Sequence, residues 1–198
     1  MEDKDRKFPS NLENPIDNLI LSTGKKFYKI FRSFNFTPNH LTFISLITGL
    51  TAIYLFYKKN FLLSAIIYFI SYSFDVFDGN YARTYEMVTN FGDYFDHIKD
   101  LVVNVILIIV FIKYNSLKNF KYYIAITLIL VVLMSLHLGC QEIYVEKDNP
   151  KNKSEYLSFL GDICKKLNLL EITPILRHFG CGTFALWVSI IIALNAYS

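Results

Sequence analysis

Charge is what this sequence has least of, and its scarcity narrows the class first. Only 19% of the 198 residues are Asp, Glu, Lys or Arg, against a hydrophobic share of 53% and an aromatic share of 17%. An ordinary soluble domain of this size does not carry that balance. The net charge of +3 is too mild to argue for a nucleic-acid partner, and none is expected. Cysteine is confined to Cys140, Cys164 and Cys181. They are widely spaced, odd in number and free of any CxxC or Cys/His ligand pattern, so they imply no disulfide framework and read as packing residues. The N-terminus offers no apolar core ahead of a small-residue cleavage site, so a cleaved signal peptide is not expected. Internal repeats and low-complexity tracts are lacking too.

The charges that are present are unevenly placed. Seven of the 20 Lys and Arg precede Thr37: Lys4, Arg6, Lys7, Lys25, Lys26, Lys29 and Arg32. By the positive-inside tendency this segment stays in the cytosol. Residues 1 to about 13 read as disordered. From Pro15 to Phe34, apolar residues recur at three- and four-residue intervals with the basic residues between them, the pattern of a helix lying on a membrane surface. Thr37-Pro38-Asn39 breaks the chain. Leu41 to Tyr57 and Phe61 to Phe77 then read as spans, as do a segment from near Gly92 whose apolar end is Leu101 to Ile112, Tyr122 to Leu138, and Thr183 to Tyr197. Gln141 to Glu155 reads as a polar loop. Tyr156 to Leu176 is apolar in part yet carries Asp162, Lys165, Lys166 and Glu171, so it is either a span facing a wet cavity or an interfacial helix. Gly180 and Gly182 offer a turn or a close helix approach. The expected architecture is all-α: a polytopic bundle of about six transmembrane helices (37–198) behind a cytosolic N-terminal segment with its interfacial amphipathic helix (1–36).

The informative stretch is DVFDGNYARTYEMVTNFGDYFDHIKD, from Asp75 to Asp100. Asp75 and Asp78 are three residues apart and Asp96 and Asp100 four, so each pair projects from one helix face if both pieces are helical. Burying four carboxylates near a membrane without compensation costs at least a few kcal/mol each. Local cations are too few to balance them, with Arg83 alone well placed on the same helix. Divalent metal is the better answer, and an all-oxygen set favours Mg²⁺ or Mn²⁺ over zinc. Two such ions roughly 4 Å apart clamp displacements at phosphorus. Gly79 and Ala82 leave that helix face almost bare, so a ligand can approach the backbone, and Arg83 suits a diphosphate. Gly92 is expected to bend the chain back. His97 lies on another face and is not counted as a ligand. His137 is expected to be a hydrogen-bonded interior residue.

The spacing D-x2-D-G-x2-A-R-x8-G-x3-D-x3-D resembles the signature of the class-I CDP-alcohol phosphatidyltransferases at all eight fixed positions: Asp75, Asp78, Gly79, Ala82, Arg83, Gly92, Asp96 and Asp100. A chance match at a given start has a probability on the order of 10⁻⁹ at typical residue frequencies. The resemblance extends to the surface helix, the TPN break and the placement of the motif at the end of the second span. It implies a membrane enzyme that moves a phosphoalcohol group from a CDP-linked donor (CDP-diacylglycerol or a CDP-aminoalcohol) to an alcohol or diacylglycerol acceptor, releasing CMP. Asp75, Asp78 and Asp96 would ligate two Mg²⁺ or Mn²⁺ ions, and Asp100 would act as a further ligand or as the base for the acceptor hydroxyl. Gly79, Ala82, Arg83 and Thr89 would meet the donor, and Pro38, Asn39, His40 and Leu41 would line its nucleotide end. The active site would face the cytosol, and a homodimer is compatible with the family.

Two other classes compete. An intramembrane prenyltransferase also binds a diphosphate through Mg²⁺ and Asp-rich motifs, but it would need a second such motif, and none follows Asp100. A cation-binding membrane protein without catalysis, a transporter or channel, would spread polar groups over several spans, whereas here they cluster. Apart from Lys99 and Arg177, few cations are at hand for a phosphorylated acceptor. The sequence therefore leans towards an uncharged or zwitterionic product head group.

Overall fold

The computed structural model describes residues 6, 8–118, 120–148 and 155–197, apart from the side chains of 146–148 and 155–157. Every regular element among them is helical: α1 (Pro15–Ser33), α2 (Pro38–Tyr57), α3 (Phe61–Thr84), α4 (Asn90–Tyr114), α5 (Phe120–Asp148), α6 (Glu155–Lys166), the single turn α7 (Thr173–Leu176) and α8 (Cys181–Leu194), with short 3₁₀ turns around the last two. Two compact units result. One comprises the described residues of Met1–Leu19 and Lys121–Phe184, the other those of Ile20–Phe120 and Ala185–Ser198.

Among the described residues, four stretches are long and apolar enough to cross a membrane: Pro38–Tyr57, Phe61–Thr84, Phe120–Val145 and Leu169–Tyr197. Two of the expected six, the segment from near Gly92 and Tyr156 to Leu176, are not among these four. Helix α4 has the length, at 25 residues, but Asp93, Asp96, Lys99 and Asp100 fall in its first three turns. Helix α6 has only 12 residues, about 18 Å of rise against a hydrocarbon core of about 30 Å. It stops at Asn168, whose φ of 52° is left-handed. Nor is Gln141 to Glu155 a loop throughout. Helix α5 runs on to Asp148, and Gln141, Glu142, Ile143 and Val145 are buried.

The unit that carries the acidic motif is built on small and hydroxylated residues. Thr37 caps α2 with His40 in a reciprocal capping box, and Pro38 occupies its first turn, where a missing N–H costs nothing. Ser45, Gly49, Ala52 and Phe56 recur on one face of α2 and are buried. Ser45 Oγ donates to the Ser71 carbonyl at 2.9 Å and Ser71 Oγ donates to the Ser45 carbonyl at 2.7 Å. A Cβ on Gly49 would lie 3.0 Å from Ser71 Oγ and 3.1 Å from Val103 Cγ1. At that glycine α2, α3 and α4 come together, and the two serines fix the register of α2 against α3 as polar groups do between membrane helices. Farther from the motif, Phe56, Phe61, Ala65, Val103, Leu107 and Ile192 close the core.

The other unit has a more polar interior. Asn14 caps α1, its Oδ1 accepting from the backbone N–H of Ile16 at 3.0 Å, while its amide donates to the Arg177 carbonyl and to Thr183 Oγ1. Expected disorder up to about residue 13 does not extend to 8–13, where the backbone N–H groups of Leu12 and Glu13 both bond the Pro9 carbonyl; residues 1–5 and 7 lie outside the described residues. His137 is buried, and its Nε2 lies 3.0 Å from the Leu12 carbonyl oxygen. Gly182 gives a close approach, since a Cβ there would stand 2.5 Å from Asp17 Oδ1.

The cysteine reading needs correction. Cys140 on α5 and Cys164 on α6 form a disulfide, with Cα atoms 5.3 Å apart and both residues fully buried. Gly139 is the reason they meet: a Cβ there would fall 2.4 Å from the Leu160 carbonyl oxygen, so only glycine lets α6 lie this close. Gly139→Ala is expected to destabilise the protein by about 1–3 kcal/mol, because backbone rather than a movable side chain must give way. A lower thermal midpoint in detergent checks this, and an unchanged midpoint would count against the packing described.

Candidate active site

The motif unfolds onto two helices. Asp75, Asp78, Gly79, Ala82 and Arg83 lie in the last three turns of α3, and Gly92, Asp96 and Asp100 in the first three of α4. The connection between them turns at Glu86, whose φ is 55°, and the Met87 N–H closes α3 on the Ala82 carbonyl at 2.7 Å. Gly92 sits inside the first turn of α4 and is not the bend. A Cβ on it would stand 3.0 Å from Asn39 Oδ1, so glycine here admits the start of α2. Thr89 caps α4, its Oγ1 accepting from the Gly92 N–H at 3.0 Å.

The two helices bring three carboxylates together. Asp75, Asp78 and Asp96 each offer an oxygen, and these oxygens lie within 4.8 Å of one another. Asp78 is buried and its Oδ2 accepts from Thr42 Oγ1 at 2.6 Å, which aims the carboxylate from α2. Asp96 Oδ1 is buried and receives no hydrogen bond among the described residues. A set of three converging carboxylate oxygens fits a hard divalent cation such as Mg²⁺ or Mn²⁺.

Beside this triad sits Lys99, which the sequence offers only as a cation for a phosphorylated acceptor. Lys99 is 3% exposed. Its Nζ pairs with Asp75 Oδ1 and lies 3.0 Å from Asp96 Oδ1 and 2.8 Å from Asp100 Oδ1. The ammonium stands within ion-pair distance of Asp96 without hydrogen-bond geometry to it. Asp100 is thus joined to the cluster through Lys99, and its side chain is half-exposed.

An open pocket adjoins the triad, lined by Pro38, Asn39, Thr42, Asp78, Gly79, Ala82, Arg83, Thr89, Gly92 and Asp96, with Met87, Val88 and Asp93 at the same wall. At Gly79 the position of a Cβ is 3.5 Å from Arg83 Nη1 and 3.7 Å from Nη2, so the guanidinium lies over bare backbone. Two residues assigned to the pocket are elsewhere. His40 turns back to cap α2, its Nδ1 accepting from the Thr37 N–H at 2.9 Å, and Leu41 is fully buried in the core. Thr42, Asp93, Met87 and Val88 were not singled out from sequence. Asp93 had a readable signal, lying one helical turn before Asp96.

These features define a helical protein with membrane-length apolar segments and an acidic pocket suited to a cation and a phosphorylated ligand. The sequence pattern of the CDP-alcohol phosphatidyltransferases matches residues 35–195, and the chain belongs to that family. It is similar to proteins named CDP-diacylglycerol--glycerol-3-phosphate 3-phosphatidyltransferase. The one from Rickettsia typhi (strain ATCC VR-144 / Wilmington) is 39% identical over 82 residues, covering 39% of this chain and 46% of the relative. That from Rickettsia prowazekii (strain Madrid E) is 39% identical over 82 residues, 39% and 45% of the two chains. That from Rickettsia felis (strain ATCC VR-1525 / URRWXCal2) is 37% identical over 85 residues, 41% and 47%. The matched region spans less than half the length of these relatives. No solved structure matches the chain.

Proposed function

We propose that the protein is an integral-membrane transferase that moves a phosphatidyl group from CDP-diacylglycerol to a small alcohol, releasing CMP. The observation that carries this is the convergence of Asp75, Asp78 and Asp96 beside a pocket that Asp78 and Asp96 line and that also presents Arg83 over Gly79. CDP-diacylglycerol is preferred over a CDP-aminoalcohol because the relatives' names carry it.

In this reading Asp75, Asp78 and Asp96 hold the divalent cation, with Thr42 fixing the tilt of Asp78. When bound, the ion supplies charge stabilisation at the phosphate oxygens of the donor and at the departing CMP. Arg83 holds the diphosphate against the bare backbone at Gly79, and Pro38, Asn39 and Thr89 close the pocket around the rest of the nucleotide. Asp100 is off the pocket wall and half-exposed, which leaves it on the side where an acceptor arrives. It takes the proton of the acceptor hydroxyl as the new oxygen–phosphorus bond forms, and the bond to CMP breaks with its electron pair leaving on CMP. No covalent enzyme intermediate is required.

The lean towards an uncharged or zwitterionic head group rested on a count of cations, and both of those counted are engaged: Lys99 by the acidic cluster, Arg177 by the carbonyls of Ser10 and Asn11. The relatives' names carry a phosphorylated acceptor, so the acceptor class proposed is the small soluble alcohol, phosphorylated or not. The site faces the cytosol in this proposal, because Pro38 and Asn39 at the start of α2 line the pocket and follow the basic N-terminal segment. Helix α1 lies at the bilayer surface with Phe27 and Ile30 exposed beside Lys26 and Lys29.

The test is CMP release by the purified protein in vesicles containing radiolabelled CDP-diacylglycerol, with a panel of acceptors that includes glycerol 3-phosphate and uncharged polyols, with and without Mg²⁺ or Mn²⁺. Divalent-dependent release with one acceptor is expected; no release with any of them would overturn the proposal. Arg83→Gln is expected to raise the donor KM about tenfold or more with a smaller change in kcat, since a charge-assisted bidentate contact is lost. An unchanged donor KM would remove Arg83 from the diphosphate site.

A further inference from the structure

The acidic cluster contains two overlapping triangles of carboxylates, and only one of them is open. Asp75, Asp78 and Asp96 form the first. Asp75, Asp96 and Asp100 form the second, and the ammonium of Lys99 already stands in it, in contact with all three. Lys99 is almost fully enclosed and reaches from α4 back to α3, so its stem crosses the line where the helices meet. A Lys head group is a compact point charge on a flexible four-carbon stem. It can fill the place of a small cation, and it can also swing away.

We infer that Lys99 is a resident cation of the second triangle, so that the protein binds one divalent ion tightly at Asp75–Asp78–Asp96 and a second only in competition with Lys99. The inference rests on the metal-assisted reading of the site proposed above and goes beyond it, since it concerns how many ions the cluster takes and in what order. Asp75 and Asp96 are shared between the triangles, and like charges held by the same two carboxylates repel at short range. A divalent ion in the second triangle therefore requires Lys99 to withdraw. With neither ion bound, the lysine keeps the two pairs of carboxylates from repelling each other and holds the cluster assembled. Lys99 is thus a positioning residue: it acts through the carboxylates and not on the substrate.

The experiment is a Mn²⁺ titration of the purified protein in detergent without substrate, with free Mn²⁺ followed by electron paramagnetic resonance. The wild type is expected to take up one ion tightly and a second at least about tenfold more weakly. Lys99→Met and Lys99→Gln are expected to tighten the second ion about tenfold or more and bring the stoichiometry to two, whereas Lys99→Arg, which keeps the charge, should stay near wild type. Two equally tight ions in the wild type would overturn the inference without using any variant. An isotherm unchanged in a folded Lys99→Met or Lys99→Gln protein would overturn it too. Asp78→Asn separates this failure from that of the metal reading: loss of the tight ion in that variant keeps the first triangle as the metal site whatever Lys99 does. No Mn²⁺ uptake by the wild type would bring down both.

Discussion

Replacing Asp100 with asparagine is expected to lower CMP release by about 10²–10⁴-fold while leaving donor binding measurable. The range is what a positioned general base contributes, and the reasoning is local. An alcohol is a poor nucleophile at neutral pH because its proton is held far above that pH, and a carboxylate that takes the proton as phosphorus is attacked removes that barrier. Asparagine has nearly the same shape and can still meet the Lys99 ammonium through its amide oxygen, so the cluster should stay assembled. Because Asp100 does not line the pocket that holds Arg83, donor affinity should hardly move. A large loss of kcat with a preserved donor KM is therefore the expected signature. Wild-type turnover in this variant would remove the base assignment. Equal losses of turnover and donor binding would move Asp100 into the donor site.

Asp78→Asn should act on a different quantity. Asp78 is the buried member of the open triangle and the one whose oxygen is fixed by the Thr42 hydroxyl at 2.6 Å. Asparagine still accepts that hydrogen bond through its amide oxygen, so local packing should survive, but one negative ligand is gone. Changing groups that merely support metal ligands commonly costs 10–100-fold in affinity, and loss of a direct anionic ligand should cost at least about 10²-fold. The expected result is a protein with a wild-type thermal midpoint, no tight Mn²⁺ site and no divalent-dependent CMP release at moderate ion concentrations. Tight ion uptake that survives the substitution would place the metal elsewhere.

Much of this site was legible in the sequence because it depends on local periodicity. The three- and four-residue spacings of Asp75, Asp78, Asp96 and Asp100 put each pair on one face of a helix, and the helices exist where the motif needs them. The embedded Gly79, Ala82 and Arg83 lie on the pocket wall for the same reason. What could not be read depends on which helices touch. The Thr42 bond to Asp78 and the Gly92 approach to Asn39 follow from the register of α2 against α3 and α4, a register held by Ser45 and Ser71. His40 and Leu41 belong to the same TPN neighbourhood as Pro38 and Asn39, yet helical rotation sends one to the cap and the other to the core. The Cys140–Cys164 disulfide depends on a glycine at a helix crossing, not on any spacing of cysteines. Lys99 was visible between Asp96 and Asp100, but counting cations by sequence neighbourhood could not show that its stem reaches Asp75.

The hydroxyl that aims Asp78 stands on α2, outside the eight positions by which this family is recognised. A homologue could therefore display the full signature and still be a poor catalyst, if a methyl group replaced that hydroxyl and let one carboxylate drift. Retention of the signature and fitness for the reaction are separable properties in such proteins, and the helix that divides them is the one that contributes no acid.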